Sequence, residues 1–181
     1  MNNKEKIEEL YKQVSIQTYE KLDIWKDTIL FTWQWWIGVG LSIIPWILWI
    51  IFRRKESTLR LLTVGFFVMF LSTFLDSIGV QLGLWYYTHA PLPLIPAFFP
   101  WDTTLMPIVI MGLIQFKPKL SPYIKGLIFA GLTSYVGEPL FIWLELYKPI
   151  AWKHIYSFPI YFLIYLISNK IYIGNSYHKS T

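Results

Sequence analysis

The stretch GEPLFIWLELYKPIAWKHIYSFP, residues Gly137–Pro159, decides how the rest of the chain is interpreted. It places Glu138 and Glu145 inside or at the edge of an apolar run, and a cluster of tryptophan, lysine, histidine and tyrosine follows at Trp152–Tyr156. An acidic side chain at the centre of a bilayer costs roughly 2.5–3.5 kcal/mol, so it usually faces a protein interior or a water-filled cavity. The sequence therefore predicts an apolar helical body that holds a polar site.

The composition of the whole chain is typical of a membrane protein. Its 181 residues are 55% hydrophobic and 15% charged, whereas soluble domains average about 25% charged residues. Aromatic residues make up 19%, and tryptophan and tyrosine favour the membrane–water boundary. The absence of cysteine excludes disulfides, thiolate metal sites and thiol catalysis. No run of Lys or Arg is long enough to indicate a nucleic-acid partner, because Arg53–Lys55 is only a short flank of an apolar run.

The apolar runs predict an all-α integral membrane protein with about five transmembrane helices, since a spanning helix needs about 20 apolar residues. The predicted spans are Phe31–Phe52, Leu59–Leu84, Trp101–Phe116, Ile124–Leu146 and Ile155–Ile173. Residues 1–30 form an amphipathic N-terminal helix, residues 31–175 the transmembrane bundle and residues 176–181 a polar C-terminal tail. The N-terminal helix has a helical apolar period, which is typical of a helix that lies on the membrane surface or docks on a neighbour. Its charges are balanced, which weakens attraction to anionic lipid, so we expect docking.

Loop charges predict the orientation of the chain in the cell membrane. Lys and Arg concentrate in the first and third loops between spans, whereas the proline-rich loop Trp85–Pro100 has none. Because cytoplasmic loops are enriched in Lys and Arg, we expect this loop and the N-terminus outside, and the C-terminus in the cytoplasm. The five lysines of the N-terminal helix conflict with this placement.

Under this topology, polar residues from four segments lie in the outer half of the bilayer. Asp76 shares a helical face with Gly79 and Gly83, and these two glycines form a GxxxG pattern that is typical of close helix packing. On another predicted helix, Glu138 also shares a face with small residues. We therefore expect Asp76 and Glu138 to face one another. The candidate ligand-binding residues are Asp76, Asp102, Glu138, Glu145, Trp152, Lys153, His154 and Tyr156.

Purely structural roles for these residues remain open. Asp76 and Glu138 can be protonated groups that tie one helix to another. Asp102, ahead of two threonines, is placed to cap the N-terminus of the third helix. Most tryptophan and tyrosine residues are interpreted as interface anchors. Since phosphate-binding loops, HExxH and GxSxG motifs and paired DxxxD aspartates are all missing, no cofactor and no metal are expected.

Three motifs together resemble a known family: Trp101-Asp102 ahead of a proline-broken span, GEPLF at 137–141 and WKHIYSFPIY at 152–161. The family is an uncharacterised multi-spanning membrane protein family of spore-forming Gram-positive bacteria, and the resemblance covers roughly Trp25–Ile173. It implies an integral protein of the cell membrane and carries over no activity. The motif positions it marks, without roles, are Asp102, Glu138, Trp152, Lys153, His154 and Tyr156.

Three functional hypotheses follow. The leading one is a non-enzymatic membrane protein with an outer-facing acidic and aromatic pocket that binds a small ligand, a lipid or a membrane-protein partner. The alternative is a lipid-modifying membrane enzyme that uses Glu138 and Asp76 as acid and base, with assistance from His154. A third is a small proton- or cation-coupled carrier, for which intramembrane carboxylates are usual. Five spans divide poorly into two inverted halves, which weighs against the carrier.

Overall fold

The computed structural model describes residues 2–174, and the chain is 77% helical. The helices are α1 (Asn3–Ile24), α2 (Trp33–Phe52), α3 (Thr58–Gln81), α4 (Met106–Gln115), α5 (Pro122–Leu132), α6 (Glu138–Trp143) and α7 (His154–Gly174). Two three-residue strands, β1 (Trp85–Tyr87) and β2 (Tyr147–Pro149), pair antiparallel. The all-α prediction is confirmed, and the small strand pair is an addition to it. The predicted C-terminal tail lies outside the described residues.

Three π-helical turns interrupt the helices, and prolines account for two of them. Trp101–Leu105 leads into α4, and Thr133–Gly137 joins α5 to α6. A proline stands two residues after each turn, at Pro107 and Pro139. The proline ring clashes with the carbonyl four residues earlier and offers no N–H to it, so the local hydrogen bonds shift to the fifth residue back. The third turn, Trp25–Ile29, has no such proline.

Helix α4 and its leading π turn form the centre of the molecule, with α2, α3 and α7 packed around them. The carbonyl of Thr103, four residues before Pro107, accepts the Trp46 indole N–H at 3.2 Å. On the same side the Thr104 hydroxyl donates to the carbonyl of Ser42 at 3.1 Å. The buried core side chains around this centre are Leu61, Val64, Val68, Met106, Ile110, Met111, Ile114, Phe129, Ile164 and Tyr165.

Within residues 2–174, three helices are long and apolar enough to cross a membrane, judged by length and composition: Trp33–Phe52, Lys55–Gln81 and Pro122–Trp143. The last comprises α5, its π turn and α6. The two other predicted spans correspond to the shorter helix around α4 and to α7. Neither of these is among the three helices that meet this measure. The structure thus supports three of the five predicted spans on these grounds.

The two ends of the helical bundle differ in chemistry. At one end the Arg54 backbone N–H donates to the side chain of Gln115 at 2.7 Å, and Arg60 lies over the Tyr172 ring at 5.0 Å. Lys125 donates to two backbone carbonyls at this same end. The opposite end carries β1, β2 and the proline-rich loop. Most basic residues outside α1 therefore gather at the end remote from the strand pair.

Helix α1 stands apart from the bundle. None of its residues is buried, so the predicted docking of this helix is not seen within the described chain. Its connection to the rest runs through the following π turn, where the Trp25 indole N–H donates to the carbonyl of Ala90 at 2.8 Å. This contact places the end of α1 beside the proline-rich loop.

The prediction that both glycines of the GxxxG pattern lie on a helix-packing face is wrong for Gly83. Gly83 lies beyond the end of α3, with a φ of 69° and open space around it. Its N–H bonds the carbonyl of Val80 and the N–H of Leu84 bonds that of Gly79, which is the Schellman ending of a helix. Gly79, in contrast, is buried, and a Cβ there would meet the ring of Trp85. Gly79 is therefore the glycine that permits close packing.

Replacement of Gly79 by alanine should lower the thermal stability of the protein, because the added methyl group displaces the Trp85 ring. Overpacking of this kind costs about 1–3 kcal/mol. Gly112→Ala is the matched control, since a Cβ there meets nothing within 4 Å and alanine favours helix. The midpoints of thermal unfolding in detergent, followed by circular dichroism, measure the difference. A Gly79→Ala midpoint equal to or above that of Gly112→Ala would contradict the assignment.

Candidate ligand-binding site

A cavity of about 250 Å³ lies among α3, α6, α7, the strand pair and the π turn Trp101–Leu105. Three carboxyl side chains line it, those of Asp76, Asp102 and Glu138, and so does Trp152. Much of the remaining wall is aromatic and consists of Trp85, Tyr87, Phe98, Trp101, Phe141, Tyr147 and Tyr161. Four of the eight candidate residues therefore meet around one cavity.

Asp76 is held by three hydrogen-bond donors. Its Oδ1 accepts the Trp85 indole N–H at 2.6 Å and the Tyr87 hydroxyl at 2.7 Å, and its Oδ2 accepts the Phe98 backbone N–H at 2.8 Å. Strand β1 explains the first two contacts, because alternate residues of a strand point to the same side. Tyr86, between them, is 41% exposed. These three donors satisfy the buried Asp76 carboxyl, as a buried polar group requires.

The Tyr87 hydroxyl remains a donor over the ordinary pH range. Burial raises the pKa of Tyr87 well above its usual value, and the nearby carboxyls of Asp76 and Asp102 raise it further. Tyr147, opposite Tyr87 in the strand pair, has a pKa raised by burial and then by Glu138 and Asp76. Both phenols at the strand-pair side of the cavity are therefore neutral hydrogen-bond donors.

Asp102 is 2% exposed and lies beside the Asp76 carboxyl. The predicted role as a helix cap is wrong, because Asp102 lies within the π turn and its own N–H already donates to the Phe98 carbonyl. Its Oδ2 is buried without a hydrogen-bond partner. Two carboxyls this close repel one another when both are charged, so a positive charge placed beside them is favourable.

Glu138 and His154 form a close pair at the other side of the cavity. His154 Nδ1 lies 2.5 Å from Glu138 Oε2, with side chains 32% and 8% exposed. Glu138 begins α6 directly after a π turn and His154 begins α7, so the pair joins the starts of two helices. Tyr161, about two turns after His154 in α7, also hydrogen-bonds the Glu138 carboxyl. Asp76 and Glu138 thus line one cavity, but each has a different closest partner.

Two tryptophans from distant parts of the chain meet at the strand-pair side. The rings of Trp85 and Trp152 are 4.9 Å apart in an edge-to-face arrangement. The Trp152 indole N–H donates to Ser157 Oγ at 2.8 Å, which orients the ring from the first turn of α7. The carbonyl of Leu84 accepts the N–H groups of both Ile150 and Ala151, which holds the segment after β2 against the segment before β1.

Four candidate residues lie outside the cavity wall, and one of them, His154, reaches it only through its contact with Glu138. In the described part of the chain the other three form no such hydrogen bond. Glu145 is exposed at a left-handed position, with a φ of 57°, and its carbonyl rather than its carboxylate contacts His89 and Thr88. Lys153 is exposed. Tyr156 is 47% exposed and its ring lies 5.5 Å from that of Trp152. Ligand binding by these three remains a prediction, without support from the geometry of the cavity.

The residues that sequence analysis missed are mainly the aromatic donors. The sequence patterns predict interface anchors or no role for four of them, namely Trp85, Tyr87, Trp101 and Tyr161. The one signal for Trp85 and Tyr87 was their two-residue spacing just after the helix that carries Asp76. Tyr161 lies one heptad after His154, on the same face of α7, and that spacing could have indicated it.

Comparisons with protein-family models, with curated proteins and with solved structures find no match to this chain. The site is therefore interpreted from its own geometry. Among residues 2–174 no group of three or more His, Asp or Glu side chains is placed to hold a metal ion. What the arrangement offers is a small hollow with acidic, aromatic and phenolic groups on its wall.

The two carboxyl sites of the cavity can be separated by double-mutant cycles. Asp76→Asn combined with Asp102→Asn should show a coupling of about 1 kcal/mol or more, because the two side chains lie in contact and contacting residues are coupled. Asp76→Asn combined with Glu138→Gln is the matched cycle and should show a smaller coupling. The free energy of unfolding in mixed micelles provides the values. Stronger coupling in the Asp76–Glu138 cycle would contradict the assigned pairing.

Proposed function

We propose that this protein is a multi-pass integral protein of the cell membrane whose cavity, in the outer half of the bilayer, binds a small ligand. The proposal keeps the five predicted spans, of which the short helix around α4 and helix α7 are not among the three long apolar helices. The resemblance to a membrane protein family of Gram-positive bacteria remains part of this proposal. No enzymatic step is needed for it.

Support for the membrane location comes from the outward faces of the long helices. Only 11% of the most apolar window of α2 is buried within the protein, and exposed Ile43, Ile44 and Ile47 lie along it. Large contiguous apolar surfaces are rare on soluble monomers. The distribution of basic residues supports the orientation, because the end with Arg53, Arg54 and the α4–α5 loop is the one we assign to the cytoplasm.

The cavity itself is the observation that carries the ligand-binding proposal. A network whose only role is to tie helices together can pack without a hollow, since protein interiors are close-packed. This cavity is about 250 Å³, against about 30 Å³ for one water molecule in the liquid. Buried carboxyls around a hollow of this size are typical of a binding site, with a few polar groups on a mostly apolar wall.

The enzyme alternative depends on one contact. Asp76 is occupied by three donors, so it does not serve as a free base. Glu138 and His154, 2.5 Å apart at the cavity, are the only acid–base pair of the described residues that the alternative can use. No feature of the described residues adds support to the carrier hypothesis. We therefore keep ligand binding as the proposed function and the Glu138–His154 enzyme as second candidate.

Single-cysteine labelling tests the orientation, since the chain has no native cysteine. Leu94, 64% exposed in the proline-rich loop, and Glu56, exposed at the opposite end of α3, are the two sites. A cysteine at Leu94 should react with an impermeant maleimide in intact cells, and a cysteine at Glu56 should react only after permeabilisation. The reverse pattern would show that the orientation is inverted.

Native mass spectrometry tests occupancy of the cavity without knowledge of the ligand. Protein purified from cells grown in complex medium should retain a small-molecule adduct. Ile160→Trp, which fills the cavity wall, should lose the adduct. Leu163 lies on the same helix, is 55% exposed and does not line the cavity, so Leu163→Trp should retain the adduct. An adduct that is absent from the unmodified protein, or unchanged in Ile160→Trp, would count against ligand binding in this cavity.

A further inference from the structure

Among residues 2–174, the ionisable side chains on the cavity wall include carboxyls but no lysine or arginine. The carboxyls are those of Asp76, Asp102 and Glu138. His154, which can carry positive charge, is already paired with Glu138. The cavity therefore presents negative or acceptor groups to a ligand and no cationic partner.

The unused part of this acceptor capacity lies at Asp102. Asp76 accepts three donors, and Glu138 is bonded by His154 and Tyr161. The Asp102 carboxyl contacts the side chains of Asp76 and Ser72, but its Oδ2 has no hydrogen-bond partner although the residue is only 2% exposed. A buried acceptor without a donor or counter-charge is costly. A ligand that brings positive charge close to Asp102 would relieve that cost.

The aromatic wall favours the same class of ligand. Trp85 meets Trp152 at 4.9 Å, and Tyr87 stacks on Phe98 at 4.8 Å. Trp101 and Phe141 also line the cavity, and their rings are 5.1 Å apart in an edge-to-face arrangement. Aromatic faces attract cations through their quadrupole, and cages of such faces bind quaternary ammonium groups. The rings also remove water, which strengthens the attraction between a cation and the carboxyls.

We infer that the cavity selects an organic cation, an ammonium group carried on a small apolar body, with the aromatic faces around the charge and Asp102 as its counter-group. This inference rests on the proposed function and names the ligand class of the same cavity. The lack of a lining Lys or Arg further predicts that a phosphate on the ligand is rejected, because it would face three carboxyls. A free ammonium compound is therefore favoured over the phosphate-bearing head group of a lipid.

Choline and two relatives of it test the inference. The neutral carbon isostere, with carbon in place of nitrogen, has the same shape without charge, and phosphocholine adds a phosphate. In maltoside micelles, with tryptophan fluorescence or calorimetry as the readout, choline should bind at least roughly tenfold more tightly than either relative, a difference of about 1.4 kcal/mol. Asp102→Asn should reduce the preference for choline severalfold, and Asp27→Asn, an exposed acid far along the chain, should not.

A second variant guards against failure of Asp102→Asn to fold. Trp152→Leu keeps an apolar side chain at the cavity but removes an aromatic face, so choline should bind more weakly while the isostere is unaffected. Equal binding of choline and its isostere, or tighter binding of phosphocholine, would overturn cation selection and leave the cavity as a binding site. An adduct of neutral or anionic class in the native spectra, with no choline binding, would also overturn it. Absence of any adduct would instead contradict the proposed function.

Discussion

The three hydrogen bonds to Asp76 are the interaction on which the arrangement around the cavity depends. A carboxyl in the apolar body of a helical bundle needs donors, and this one takes them from two aromatic side chains and a backbone N–H. The donors come from β1 and from the end of the proline-rich loop. Asp76 therefore fixes where the chain goes after α3 and brings the loop back over the helix. Gly79 makes this return feasible, because a side chain there would occupy the position of the Trp85 ring.

The other side of the cavity is organised by prolines. Pro107 and Pro139 each follow a π turn, and these turns carry or directly precede Asp102 and Glu138. Single π turns inside helices are frequently found at functional sites, since they redirect side chains that a regular helix would point elsewhere. In this chain they direct two carboxyls towards the same hollow. The two prolines thus account both for the breaks in the helices and for the position of these carboxyls at the cavity.

Much of the helical framework could be predicted from the sequence. The predicted spans and the observed helices agree to within a few residues at most boundaries, because long apolar runs and terminal basic residues are strong local signals. Buried acids were predictable for the same reason, since Asp76 and Glu138 interrupt apolar runs. The strand pair could not be predicted. Each strand has only three residues and no short turn joins the two, so neither gives a periodic signal.

The partners of the acids could not be predicted because they depend on long-range packing. Asp76 was expected to face Glu138, whereas it lies beside Asp102, and Glu138 pairs with His154, 16 residues later, across a loop and a strand. The GxxxG pattern misled for a physical reason: the helix ends before its second glycine, which then serves as a left-handed cap. Glu145 was misplaced by the same cause, since α6 ends two residues before it.

The most direct test of the account is an experimental structure of the protein purified without added ligand. The account predicts non-protein density between Asp102 and Glu138, bounded by the rings of Trp85, Trp101 and Trp152, with Trp85 and Tyr87 both donating to Asp76. A structure in which the aromatic side chains have closed the hollow, with Asp76 and Asp102 separated and each bonded to its own neighbours, would contradict it.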